Sequence, residues 1–493
     1  MQQTIFNMDN KTVEDISNPD TYKGIYSFHK YWGKKPTESI AYFIQNYTNE
    51  SDIVLDPFLG SGLISVECVS RKRRFIGIDI NPFSIEHTNF ILDLPKPDLY
   101  LRAIKEIEKS IKEKINLSYI LENGKFASHY LWNKDNLIKV WMKPETGRSR
   151  VEFEPNQFDI SQINMYSKYN VRNIRKATFF TNSRINAKST MSISDFFTKR
   201  ALLNIDLIID EIKKYPPVIQ RALFLTLTAS SGQMSSMVFA ITGRGKTKNQ
   251  IFEKIEVGSW IIGFWRPELH FEINVWNCFE SRARKLYKAL LKTNIETYPV
   301  FNSVEPLFNV IDGASIINNN CLETMRSIPD KSIKLICTDP PHSDRIPYLE
   351  LSELWNSILN KEVLFDGEII VSNAKERNKK KPSYIEDMKS LIRESSRILR
   401  DDGLFLLYYN ARDKQSWRFM EILETTSDLQ FFGAFPMEYS ANSVVQDNRK
   451  GGMKTDYVLV MKNKHSNVLE NHELDKIPGW ILTWRVQGKS ATV

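Results

Sequence analysis

Short apolar runs and glycine turns set the pattern at both ends of the chain and lose their regularity in between. "TESIAYFIQNYT" (37–48) has the spacing of an amphipathic helix, and "DIVLD" (52–56) that of a compact buried strand. "FLGSGLISVECVS" (58–70) is a glycine turn opening a helix, "RRFIGIDI" (73–80) a second strand and "SIEHTNFILDL" (84–94) a second helix. Strand, glycine loop, helix, strand and helix in that order begin a parallel, doubly wound sheet. A charged helix follows over 100–118. Residues 128–195 then mix aromatic, basic and polar side chains without a period. Helical patterns over 195–214 and 217–241 flank Pro216 and Pro217, which end the first of them. An aromatic, strand-like stretch at 257–276 and a helix near 277–293 complete this middle region.

Sheet-like order returns with strand, short helix and strand in "GASIINNNCLETMRSIPDKSIKLICTDPPH" (313–342). Helices are expected at 348–360 and 384–400, and a strand at "GLFLLYYN" (403–410). "LQFFGAFPMEYS" (429–440) and "TDYVLVMKN" (455–463) read as an antiparallel closing hairpin with a long basic loop. The expected fold is therefore α/β, with one sheet interrupted by a mostly helical insertion of roughly 200 residues, far beyond an ordinary loop. The boundaries are a first half of the sheet domain at 1–118, an inserted domain at 119–310, a second half of the sheet domain at 311–463, and a tail at 464–493.

Composition narrows the partners. With 493 residues and 42% apolar content, the chain can form two or three cores. The net charge of +8 is modest for this length and says little about a polyanion. The four cysteines form no CxxC or Cys/His cluster, so no metal site is expected, and scattered thiols suit a reducing cytoplasm. No apolar leader or membrane-length run is visible, so a cytoplasmic protein without membrane contact is expected.

Candidate chemistry gathers at strand ends. In "DPFLGSG" (56–62), Asp56 precedes a turn containing Gly60 and Gly62, where absent side chains let backbone approach a ligand. Asp79 ends the next strand, where an acid binds ribose hydroxyls and is unfavourable beside phosphate. The loop has neither GxGxxG spacing nor the Gly-Lys-Ser/Thr of a phosphate loop. A nucleoside without phosphates, such as S-adenosylmethionine, fits these residues. Taken alone, a GxG turn is more often plain strand–turn–helix geometry. With both acids and the later Asp-Pro-Pro strand, the ligand reading prevails.

"DPFLGSG" resembles the cofactor motif of DNA amino-methyltransferases, and the 313–342 segment resembles the unit carrying their catalytic DPPY. "HKYWGKKP" (29–36) resembles the segment that closes over the methionine end of their cofactor. The resemblance covers about 150 residues at two ends of the chain. It implies a Rossmann-like methyltransferase sheet, S-adenosyl-L-methionine as cofactor, and double-stranded DNA as partner. It places His29, Lys30, Tyr31, Trp32, Asp56, Pro57, Phe58, Gly60, Gly62, Asp79, Asn81, Asn320 and Cys321 around the cofactor. Asp339, Pro340, Pro341 and His342 would be catalytic. Two positions depart from the family pattern: His342 stands where Tyr is usual, and Asn320 where Asp is frequent.

An exocyclic amine is a poor nucleophile because its lone pair is delocalised. Asp339 and the Pro340 carbonyl would accept its two N–H groups, and His342 would stack on the base once it is flipped out. Asp at the first position favours adenine N6 over cytosine N4. Among the basic runs, Lys375, Arg377, Lys379, Lys380 and Lys381, with Arg244 and Lys246, are the candidates for phosphate contact, whereas "RKRR" (71–74) reads as a solvated turn. Tyr348 is a second stacking candidate, with core packing as its ordinary role. Three functions remain open. The leading one is a DNA adenine methyltransferase in a restriction-modification or phage-defence setting, with restriction or defence subunits as partners. The others are an RNA amino-methyltransferase and a DNA-binding subunit with the fold but little turnover.

Overall fold

The computed structural model describes residues 23–143, 150–242, 255–260, 262–341, 346–409, 423, 425–437 and 456–464. Eight strands form the main sheet: β1 (Ile53–Asp56), β2 (Arg74–Asp79), β9 (Val300–Phe301), β10 (Ala314–Asn318), β11 (Ile333–Thr338), β12 (Leu399–Tyr409), β13 (Leu429–Met437) and β14 (Asp456–Asn463). Their spatial order is β13-β14-β12-β11-β1-β2-β10-β9. The strands from β12 to β9 run parallel, and β14 and β13 close the sheet antiparallel. This is the expected α/β methyltransferase-type sheet with its hairpin.

All four residues of β1 are buried, as a central parallel strand requires. The register pairs Asp56 with Gly77 on one side and Leu55 with Ile336 on the other. The carboxyl ends of β1, β2 and β11 therefore lie side by side. Sequence order reverses about β1, which makes this edge the switch point where open α/β sheets bind ligands.

Between β2 and β9 the chain adds more than helices. Long helices Pro97–Leu117, Lys199–Ile212, Pro217–Met234 and Val275–Leu290 accompany a second sheet. Its strands are β3 (Ala127–Asn133), β4 (Asn136–Met142), β5 (Val151–Phe153), β6 (Val238–Ile241), β7 (Glu256–Val257) and β8 (Leu269–Ile273), in the order β5-β4-β3-β8-β6-β7. All its pairings are antiparallel. The mostly helical expectation thus missed a six-stranded sheet. The β3–β4 hairpin turns through Lys134 at φ 56° with no Asn-Gly signal, and a register shift at Leu131/Trp132 breaks the alternation.

One apolar cluster joins the insertion to both halves. It runs from Phe28 and Trp32 through Phe83 and the insertion helices to Leu351, Leu354 and Trp355. The Ile107, Ile111 and Ile115 stripe of helix Pro97–Leu117 belongs to it too. Trp355, on helix Tyr348–Ile358, stacks on Trp32 at 4.9 Å and meets Phe83 at 4.6 Å and Trp260 at 6.1 Å. Polar links reinforce the junction. Glu353, wholly buried, pairs with Arg175 at 2.9 Å and accepts from Thr178 N at 2.7 Å, and Asn182 donates to Glu350 at 2.8 Å. Truncating Trp355 to alanine should cost about 3–5 kcal/mol. Denaturant unfolding of the variant, compared with wild type, measures that loss.

Candidate active site

The glycine turn is shaped by two left-handed residues, Gly60 at φ 53° and Gly62 at φ 73°. A Cβ at Gly62 would sit 2.1 Å from Thr88 Oγ1, so only glycine closes the turn against helix Pro82–Leu92. The turn is tied to β2 through Asp79, whose Oδ2 accepts from Gly60 N at 2.7 Å and Oδ1 from Asn81 N at 2.8 Å. Asp79 is half-buried, and desolvation pushes its pKa up to about 6. Asp56 lies deeper. It accepts from Phe58 N at 3.0 Å and from Thr338 Oγ1 at 2.7 Å, and burial raises its pKa to about 7.

These strand ends open on a cleft. Asp56, Pro57, Phe58, Gly60, Asp79, Asn81, Asn320, Cys321, Asp339 and Pro341 line it, and Tyr31, Trp32, Lys34, Lys35 and Tyr348 cover it. Tyr31 anchors the cover. Its hydroxyl pairs with Ser84 Oγ at 3.0 Å, and its ring stacks on Tyr348 at 5.9 Å and Phe83 at 6.2 Å. Lys34 donates to the carbonyls of Tyr26 at 2.8 Å and His29 at 2.7 Å; burial lowers its pKa to about 7.

Of the residues expected at the cofactor, Gly62, which shapes the turn, and His29 and Lys30 do not line the cleft. His29 is buried, bonded to Thr228 Oγ1 at 3.0 Å and packed on Phe83 at 4.7 Å, and desolvation holds its imidazole neutral. The Lys30 ammonium lies 5.0 Å over the Trp260 ring, and burial lowers its pKa to about 8. Both fasten the cover to the insertion. Asn81 and Asn320 reach the cleft but spend their amides on structure. Asn81 caps helix Pro82–Leu92 and donates to Ser352 at 3.0 Å. Asn320 caps helix Cys321–Arg326 and donates to Gly367 O at 2.7 Å.

At the other end of the cleft, Asp339 meets Lys35 Nζ at 3.1 Å, and the Pro341 carbonyl accepts from Tyr384 Oη at 2.8 Å. Pro340, expected to be catalytic, is buried and does not line the cleft. His342, Arg244 and Lys246 lie outside the described residues. Lys375, Lys380 and Lys381 are exposed, and Lys379 donates to the Asp366 carbonyl. Arg377 corrects the phosphate expectation. It is buried, with Nη1 on Glu368 at 2.6 Å and Glu350 at 3.4 Å and Nη2 on Phe365 O at 2.6 Å, so its charge is committed inside the protein. The sequence reading missed Tyr384, whose helix carries no motif, and Lys35, which stands just before the closing Pro36 of "HKYWGKKP", a segment read for its aromatics. "RKRR" is not simply solvated: Arg73 and Arg74 donate to the carbonyls of Thr48 and Leu307.

A family model described as DNA methylase, of the N6/N4 methyltransferase type, matches residues 5–90. Similar proteins include the type II methyltransferase M.MjaII of Methanocaldococcus jannaschii, 28% identical over 26% of this chain and 23% of its own. M.Cfr9I of Citrobacter freundii is 47% identical over 10% of this chain and 16% of its own, and M2.DpnII of Streptococcus pneumoniae 37% identical over 14% and 27%. Residues 5–90 thus resemble the DNA amino-methyltransferase family. The matched segments cover 23%, 16% and 27% of those three relatives, so the likeness is to parts of them.

The cleft fits the cofactor that this family uses. A carboxylate at the end of β2 offers acceptors to a diol, the glycine turn lets backbone come close, and aromatic rings flank the space. The Asp79 pKa of about 6 gives a signed expectation. Hydroxyl donors bind the ionised carboxylate better, so affinity for S-adenosylhomocysteine should fall as pH drops through about 6. Calorimetry across that range should show the fall in wild type and a clearly smaller one in Asp79→Asn.

Proposed function

We propose that this protein is an S-adenosylmethionine-dependent DNA methyltransferase acting on the exocyclic amine of a flipped base, adenine N6 in preference to cytosine N4. The observation that carries the reading is that Asp79, ending β2, and Asp339, just past the end of β11, flank β1 and open on one cleft. One acid suits a ribose and the other an amine. A restriction-modification or defence setting is part of the proposal, supported by similarity to proteins named type II methyltransferases. Among the described residues no helix is long and apolar enough to cross a membrane, and no group of acid, His and Cys side chains could hold a metal.

When bound, S-adenosylmethionine supplies an electrophilic methyl: the amine nitrogen takes it as the C–S bond breaks and a neutral thioether leaves. The protein's own work is positioning and electrostatics. Asp79, Gly60 and the Tyr31 cover would hold the nucleoside portion. Asp339 accepts an N–H of the target amine, which aims the nitrogen lone pair away from the carboxylate and localises it. Three elements fix the turn that does this: Thr338 bonds to Asp56 in β1, Lys35 pairs with Asp339 from the cover, and Tyr384 holds the Pro341 carbonyl from helix Lys381–Ile398. After transfer, the surplus amine proton passes to water, so no dedicated base is required. The exposed Lys380 and Lys381 begin the helix that carries Tyr384, which reaches this turn, and with the exposed Lys375 they suit a phosphate backbone.

Purified protein, labelled cofactor and duplex DNA test the reading, with the product digested and its bases resolved by mass spectrometry. Wild type should yield N6-methyladenine. Asp339→Ala should lower the rate by at least about 10²-fold while binding S-adenosylhomocysteine as wild type does. N4-methylcytosine would change the base assignment. Transfer to RNA but not to DNA would replace the function, and full activity in Asp339→Ala would remove the catalytic assignment.

A further inference from the structure

The cover segment holds a cation against the proposed catalytic acid. Lys35 Nζ lies 3.1 Å from Asp339 Oδ2, and the two side chains are 12% and 22% exposed. Both line the cleft. The ammonium also lies 5.3 Å over the ring of Tyr408, in β12, whose hydroxyl meets Ser39 Oγ at 3.4 Å. Lys35 is not a floppy surface lysine. Its backbone is held between Lys34, pinned by two carbonyls, and Pro36, the N-cap of helix Thr37–Tyr47.

An ammonium and an exocyclic amine present the same face to a carboxylate: N–H donors. We propose that Lys35 is a positioning residue, holding Asp339 charged and turned into the cleft and occupying, until a base enters, the donor position that the target amine takes. This rests on the methyltransferase reading. The charge matters because Asp339 does not sit alone. Asp56 lies behind it through Thr338, Asp79 and Glu368 line the same cleft, and Lys34 stands in the cover. Glu368 is answered by Arg377, so Asp56 and Asp79 are the acids whose charge opposes that of Asp339. Lys35 is a contact that offsets them.

The pair also shapes the reaction. A carboxylate already engaged by an ammonium is a weak base but remains a good acceptor. It accepts from the amine without taking the proton, which leaves to water after the methyl group arrives. The mobile part is the lysine: its long stem lets the head withdraw from the amine's place while its charge stays near Asp339.

Three variants separate charge from shape. Lys35→Gln keeps a donor and removes the charge, Lys35→Met removes both, and Lys35→Arg keeps the charge. Both neutral variants should lose about 10²-fold in kcat, and Lys35→Arg should stay within about tenfold of wild type. S-adenosylhomocysteine affinity, measured alongside, should change far less than kcat in all three. A second readout needs no turnover. In free protein carrying carboxyl-labelled aspartate, the Asp339 signal, identified by its absence in Asp339→Asn, should titrate at higher pH in the neutral variants than in wild type and Lys35→Arg. If Lys35→Met does not fold, Lys35→Gln carries the test. Wild-type kcat in Lys35→Gln together with an unshifted Asp339 titration would overturn the proposal while leaving the methyltransferase reading intact. An inactive wild type would instead remove that reading.

Discussion

Three carboxylates at one edge of a sheet repel each other, and the cleft exists because each has been given a separate counterweight. Parallel pairing of β2 and β11 on either side of β1 brings Asp56, Asp79 and the Asp339 turn together. Asp56 is answered by Phe58 N and Thr338, Asp79 by the backbone amides of Gly60 and Asn81, and Asp339 by Lys35. The two deeper acids still have raised pKa values because burial outweighs their hydrogen bonds. Asp339 alone is met by a full opposite charge. A sheet edge arranged this way has unequal acids, each suited to a different part of one ligand pair.

The insertion is built into this arrangement. Helix Tyr348–Ile358 presents Trp355 to the cover and the insertion, Glu353 to Arg175, and Glu350 to both Asn182 and Arg377. Arg377 in turn holds Glu368, which lines the cleft. His29 and Lys30 bind the cover to Thr228 and Trp260 of the insertion. A segment expected to read the target is thus packed directly against the elements that would hold cofactor and base. No linker intervenes among the described residues.

What the sequence made legible follows from local chemistry. The main sheet could be read because each parallel strand is a short apolar run and each functional turn carries residues with few other uses, such as Gly60, Gly62 and the Asp-Pro-Pro of 339–341. The second sheet could not, because its β3–β4 hairpin mixes aromatics and charges and turns on Lys134. At the site, Asp56, Asp79 and Asp339 announced themselves at strand ends. Lys35 and Tyr384 did not, since each acts across a distance that only the fold closes. Arg377 misled for the opposite reason: it stands in a basic run, and nothing local shows that Glu350 and Glu368 wait for it.

The central claim is that one cleft holds a nucleoside at Asp79 and delivers its reactive end to Asp339. A crystal structure of the protein with S-adenosylhomocysteine tests it most directly. The ribose hydroxyls should lie within hydrogen-bonding distance of the Asp79 carboxylate, with the thioether directed toward Asp339 and Lys35. A ligand bound elsewhere, or one whose sulfur points away from Asp339, would contradict the account.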